Sequence, residues 1–153
     1  MRRPNVQGAG GIGLDVLVRT AMRMRPDRLV LGECRGAEVR EVLGALNTGH
    51  DGGWATVHAN SADDVPARLV ALGALAGLTP AAITVQARAA IDAVLHLRRD
   101  GDGQRVLAQV GVIVDDGRAG MRCEPALARL HGETMATAEG WPQLARVLDR
   151  GPR

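Results

Sequence analysis

Arg23-Met24-Arg25-Pro26-Asp27-Arg28-Leu29-Val30-Leu31-Gly32-Glu33-Cys34-Arg35-Gly36 sets an apolar run between charged flanks. Arg28 to Gly32 reads as a short, continuously apolar strand, the kind buried on both faces of a parallel sheet. Pro26 keeps Arg25 out of the right-handed helical region and closes any helix before it. Gly32 to Gly36 is expected to turn the chain, leaving Glu33 at the carboxyl end of the strand. Ligands bind along that edge in open α/β sheets. An acid there can hold Mg²⁺ through water or align an attacking water for phosphoryl transfer. A plain surface pairing of Glu33 with Arg35 or Arg28 is the alternative that these residues leave open.

Upstream, Leu14, Leu17, Val18, Ala21 and Met22 recur at helical spacing, which predicts an amphipathic helix over 13–24. Gly8-Ala9-Gly10-Gly11-Ile12-Gly13 matches GxGxxG by letter. The polar residues before it supply no strand, so it reads as a Gly-rich loop and not as a dinucleotide fingerprint. Downstream, Val39, Val42, Leu43 and Leu46 mark a second helix closed by Gly49. Trp54 to Ala59 reads as a second strand. Ser61 to Asp64 resembles a capping box with Asp in place of Glu, opening a third helix through about Ala76. Thr79-Pro80 starts a fourth, with Thr as N-cap and Pro at the first helical position. Ala93 to Arg99 and Arg105 to Val114 predict a hairpin about the Asp100-Gly101-Asp102-Gly103 turn. Short helices are expected over 124–131 and 141–149. Alternating helices and strands predict an α/β sheet with an antiparallel edge.

The second segment that carries chemistry is Asn47-Thr48-Gly49-His50-Asp51-Gly52-Gly53-Trp54-Ala55-Thr56-Val57-His58-Ala59-Asn60-Ser61. It puts His58 at the end of the second strand, beside a helix N-terminus whose N–H groups favour anions. His58, Asn60 and Ser61 suit phosphate oxygens; a structural histidine next to a helix cap is the other reading. Together the two segments place an acid and a histidine on neighbouring strand ends.

Composition narrows the chemistry. The 153 residues suit one domain with its own core. All 19 basic side chains are Arg, which excludes Schiff-base chemistry and a complete GxxxxGK[ST] phosphate loop within this sequence. Two Trp, with no Phe or Tyr, leave no stacking platform for nucleic acid, and the net charge of +2 is spread along the chain. Cys34 and Cys123 stand alone, so neither a disulfide scaffold nor a zinc site is expected, and a reducing cytoplasm is the default. No apolar run approaches the length of a membrane span. A metal-dependent hydrolase built on His50, Asp51 and His58 is disfavoured, because their spacing matches no standard ligand pattern.

Arg23 to Glu38 followed by Ala45 to Ser61 resembles the type II/IV secretion-system ATPases, and most of all the Flp or tight-adherence pilus-assembly (CpaF-like) branch. The resemblance runs from about Arg3 through Val114; the tail over 115–153 matches weakly. It implies part of a RecA-like P-loop NTPase core over 1–114, with the antiparallel hairpin at its edge. It also implies ATP and Mg²⁺ as ligands, a homohexameric ring or a place among intact ATPase subunits, and a position at the inner face of the plasma membrane beside secretion or pilus platform proteins. By the same resemblance Glu33 matches the Walker B glutamate, acting on Mg²⁺ or water, and His58 the histidine-box residue on the γ-phosphate side. Thr48 and His50 lie in the matching TGH element, and Arg28 and Arg35 flank the Walker B strand to stabilise phosphate charge or a subunit contact. Cys34 and Trp54 depart from the usual aliphatic and small residues. No Walker A lysine is present, so the chain alone is expected to be catalytically inactive. The start is expected to be truncated, and the first strand to have a bare edge open to another chain. The alternative is a non-catalytic module that inserts into rings of an intact motor.

Overall fold

The structure, a computed structural model, describes residues 10–49, 52–130 and 134–150. Helix α1 (Leu14–Arg23) ends where Arg25 takes a positive φ of 51° immediately before Pro26. Strand β1 (Val30–Cys34) leads through a short turn into α2 (Val39–Leu46), and β2 (Trp54–Val57) follows. The expected strand over Arg28 to Gly32 is therefore displaced toward the C-terminus. Gly32 does not turn the chain, because the strand runs on through Glu33 to Cys34. The strands β1 and β2 pair in parallel, with Val30 opposite Trp54 and Leu31 opposite Ala55.

Two helices come next, α3 (Val65–Leu75) and α4 (Pro80–Ala90). Gly77 takes a φ of +71° in the turn between them, a conformation that suits a residue without Cβ. Thr79 caps α4, its hydroxyl accepting from the Ala82 N–H at 3.2 Å. Strands β3 (Val94–Arg99) and β4 (Arg105–Asp115) form the expected hairpin. The sheet does not stop there. Strand β5 (Met121–Arg129) pairs with β4, and β6 (Met135–Thr137) pairs with β5, giving a four-stranded antiparallel sheet in the order β3-β4-β5-β6. The helix expected over 124–131 is thus replaced by strand, while α5 (Trp141–Arg150) forms as expected.

One apolar cluster joins the two sheets. It takes Val18 from α1, Leu31 and Cys34 from β1, Leu43 from α2, Leu72 from α3, Ile83 from α4, Ile113 from β4 and Cys123 from β5. A second cluster lies on the other face of β4, where Val110, Val112 and Ala126 pack against Leu144 of α5. Outside the core, Arg19 of α1 reaches both Asp15 and Glu41, each at 2.9 Å, and ties α1 to α2.

Candidate functional site at the carboxyl ends of β1 and β2

A bulge in β1 shapes the site. From Leu31 to Cys34 the strand advances three residues while its partner advances two, from Ala55 to Val57. A bulge adds a residue and re-aims the side chains around it. Leu31 and Cys34 are therefore both buried, and Glu33 faces out of the core. The Thr56 hydroxyl donates to the Gly32 carbonyl and pins the bulge to β2.

Three residues singled out in the sequence meet here. Glu33 Oε2 lies 2.7 Å from Arg35 Nε and 3.4 Å from His58 Nε2. Arg35 Nη2 lies 3.3 Å from the same His58 nitrogen. One ring nitrogen cannot accept from Arg35 and donate to Glu33 at once, so the protonation of Nε2 selects between the two partners. The side chains of Glu33, Arg35 and His58 are 47%, 62% and 68% exposed. An ion pair this exposed contributes about 1 kcal/mol or less, so a water or cation can take the Glu33 carboxylate at small cost.

Arg28 and Thr48 lie elsewhere. Parallel strands start at one end of a sheet and finish at the other, and Arg28 precedes β1. Its guanidinium sits against Gly52, which precedes β2. At about 3.3 Å per residue, the length of β1 separates it from Glu33. Because α2 leaves the site end and runs back along the strands, Thr48 after its last turn is also carried away. The Thr48 hydroxyl donates to the Gly44 carbonyl at 2.8 Å. His50 lies outside the described residues.

Two side chains at the site were not picked out beforehand. Glu38 Oε1 accepts from the N–H groups of Arg35 and Gly36 at 2.6 and 2.9 Å, fixing the turn between β1 and α2. An acid three residues after Arg35, just ahead of an apolar helix, was the available signal. Arg68 of α3 borders an open hollow of about 490 Å³ with His58, Asn60 and Asp64, and its Nε is buried with no hydrogen-bond partner among the described residues. Ser61 accepts from the Asp64 N–H at 3.2 Å and donates to its carboxylate at 2.8 Å, but these contacts close a turn ahead of α3; the helix begins at Val65 with Asp64 at its N-cap and no side-chain cap, so the expected capping box does not open it. Burial pushes the Cys34 thiol up to about 11, with the charge of Glu38 adding to it. A thiol so protonated is a packing group and not a nucleophile. Among the described residues, no group of three or more His, Cys, Asp or Glu forms a metal cage.

The family described as Type II/IV secretion system protein matches residues 2–125, from before α1 into β5. The chain belongs to that family. Its members are secretion-system ATPases with the P-loop fold. A putative conjugal transfer protein of Mycobacterium tuberculosis is 56% identical over 112 residues, covering 73% of this chain and 32% of that protein. The probable conjugal transfer protein TrbB of Sinorhizobium fredii is 39% identical over 90 residues, covering 59% of this chain and 27% of its own. The type IV secretion system protein PtlH of Bordetella pertussis is 49% identical over 53 residues, covering 35% and 16%. The chain thus spans about a third of the length of the mycobacterial relative. Among the described residues, no helix is long and apolar enough to cross a membrane.

Proposed function

We propose that this chain supplies the acid and histidine side of the catalytic site in a RecA-like ATPase motor, one that drives secretion, conjugal transfer or pilus assembly. The convergence of Glu33 and His58 at the carboxyl ends of β1 and β2 carries the reading. Glu33 orients the attacking water and accepts its proton, and His58 meets the terminal phosphate. Arg35 holds Glu33 until substrate arrives and then offers its charge to phosphate oxygens.

The donor set fits Mg²⁺ in one way only. A lone carboxylate at a strand end suits an ion held mostly by water and phosphate oxygens, which is the habit of Mg²⁺; it does not suit a cage made of protein ligands. When bound, Mg²⁺ and ATP supply the reacting phosphate and the neutralising charge. With no lysine among the 153 residues, the phosphate cradle comes from elsewhere in the motor, and the chain by itself is inactive. Hexamer formation and docking on a platform at the inner membrane follow from the same reading, and the Flp pilus branch is its narrowest form.

The test is a chimera in which this chain replaces the matching segment of the mycobacterial relative. It should release phosphate from MgATP, and Glu33→Gln should lower the rate by roughly 10²–10⁴-fold, the usual worth of a positioned acid or base. His58→Ala should also lower it, whereas Arg28→Ala and Thr48→Ala should preserve the chemical step. Undiminished turnover in the Glu33→Gln chimera would sink the assignment. Hydrolysis by the isolated chain that Glu33→Gln abolishes would overturn its inactivity. The second reading, a non-catalytic insert in rings of intact subunits, draws on the exposed faces of Val30 and Trp54, at 71% and 55%. It requires stable co-purification with an intact motor and no gain of turnover in the chimera.

A further inference from the structure

Glu33 sits on an arch in β1. Leu31 pairs with Ala55 and Cys34 with Val57, so Gly32 and Glu33 together face the single residue Thr56. Leu31 and Cys34 are buried and tie both ends of the arch to the core. The two residues between them are exposed, and one is Gly32, which has no Cβ to restrict its backbone. A bulge also interrupts the regular ladder at this point. Core and ladder therefore fix the ends of the arch but not the direction of the carboxylate on it.

Two side chains supply the missing hold. Val57 packs against the core, so alternation puts Thr56 and His58 on the opposite face. From there the Thr56 hydroxyl donates to the carbonyl of Gly32, the residue before Glu33. On the other side, Glu38 Oε1 accepts from the Arg35 and Gly36 N–H groups at 2.6 and 2.9 Å. That fixes the backbone from which the Arg35 side chain reaches Glu33 Oε2 at 2.7 Å. Glu33 is thus braced through the preceding carbonyl by Thr56 and through its ion-pair partner by Glu38. Both braces are complete within β1, β2 and the turn that leads into α2.

We propose that Thr56 and Glu38 are positioning residues that hold Glu33 toward His58. Both make their contacts to backbone groups, so they act through Glu33 and Arg35 and not on substrate. Without the Thr56 hydroxyl, the arch is free to turn the carboxylate away from His58 Nε2, which it now approaches to 3.4 Å. Without the Glu38 carboxylate, the Arg35 guanidinium loses its fixed origin and its hold on Glu33 loosens. A displacement of about 1 Å in a reacting group can cost on the order of 10²-fold in rate. The effect on turnover rests on the role proposed above for Glu33; the geometry does not.

The geometry is read in the 153-residue chain from the Arg35 Nε–H signal in ¹⁵N NMR, assigned with Arg35→Lys. Glu33→Gln removes the charged partner and defines the position of the unpaired signal. Thr56→Val keeps the branched shape of an exposed side chain and removes its hydroxyl; it should move the signal most of the way to that position. Thr56→Ser keeps the hydroxyl and should leave the signal in place. Glu38→Ala should act like Thr56→Val, and Glu38→Gln should restore the signal, because one amide oxygen can accept both N–H groups. An unmoved signal in Thr56→Val or Glu38→Ala, or a failure of the Ser or Gln variant to restore it, overturns the role of that residue. So does collapse of the Leu43 and Leu72 methyl dispersion in either variant, which would mark a residue that only supports the fold. In the chimera described above, Thr56→Val should lower kcat for MgATP on the order of 10²-fold with KM nearly unchanged, and Thr56→Ser should restore it. Full turnover in Thr56→Val beside a slow Glu33→Gln overturns the positioning role alone. Full turnover in Glu33→Gln removes the catalytic reading instead, and the NMR comparison then decides the positioning by itself.

Discussion

Four consecutive residues of β4, Val110 to Ile113, are buried, whereas Trp54, Ala55 and Thr56 of β2 are exposed in succession. Both strands are apolar, so hydrophobicity alone does not set their surroundings. The β4 strand has a strand on each side, α5 over one face, and α3 and α4 over the other. For β2 the described residues supply one strand partner, β1, and packing of its partly buried Val57 against the core. Among the described residues, β4 is enclosed on both edges and both faces. The parallel pair has one face packed and carries the candidate site on its open end. Stability in this chain therefore concentrates where the site is not.

The largest test of that contrast is Leu72→Ala. Leu72 is 1% exposed in the cluster that joins the two sheets, and its truncation should cost about 2–5 kcal/mol in urea unfolding. Trp54 in β2 and Trp141 in α5 place one reporter in each region. Coincident transitions from variants retaining one Trp each would show a single cooperative unit; separated transitions would divide the chain into two. Next is Gly111→Ala. A Cβ at Gly111 would collide with Cys123 Sγ and lie 3.3 Å from the Glu124 carbonyl oxygen. Overpacking at this point should cost about 1–3 kcal/mol. A neutral result would mean that β5 yields, and that this sheet is looser than its burial suggests.

That junction also explains what the sequence hid. Glu124-Pro125-Ala126-Leu127-Ala128-Arg129 consists of helix formers with a proline where a first helical turn tolerates one. Pairing with β4 overrides this local preference, as tertiary context does for short segments. Pro125 is accommodated because it faces Gly111 where the register shifts, so its missing N–H falls at an irregularity in the ladder. The helices α1 to α4 and the β3–β4 hairpin were legible because period, caps and turn residues agreed. At the site, Glu33, Arg35 and His58 were legible as neighbours because adjacent parallel strands end together. The bulge was not, because nothing in Leu-Gly-Glu-Cys distinguishes a turn from an extra residue in a strand. Arg28 flanks the strand as expected, but at the end opposite Glu33, and nearness in sequence to a strand does not say which end of it a side chain occupies.

A smaller effect is expected with pH. Burial raises the Cys123 thiol from 9.0 to about 11, and the charge of Asp63 adds to the shift. The folded chain holds this proton more tightly than the unfolded chain, so the stabilisation is complete below about pH 9 and is lost as pH rises toward 11. The loss should be on the order of 1–2 kcal/mol. Cys34 contributes with the same sign. Measured by urea unfolding, the slope between pH 9 and 11 should shrink in Cys123→Ala; an unchanged slope would place the titrating group elsewhere.

The smallest effect belongs to the exposed strand. Trp54 is 55% exposed, and Trp54→Ser should change stability by about 0.5 kcal/mol or less, read from the Trp141 signal. The value of this measurement lies in its dependence on protein concentration. A side chain that packs against nothing gives a midpoint that does not move with concentration. If the unsubstituted chain shows a rising midpoint as it is concentrated, and Trp54→Ser removes the rise, β2 is buried in an assembly and its bare appearance belongs to the isolated chain. A flat response in both proteins would mean that the open face of the parallel pair stays exposed in solution, with the contrast between the two sheets intact.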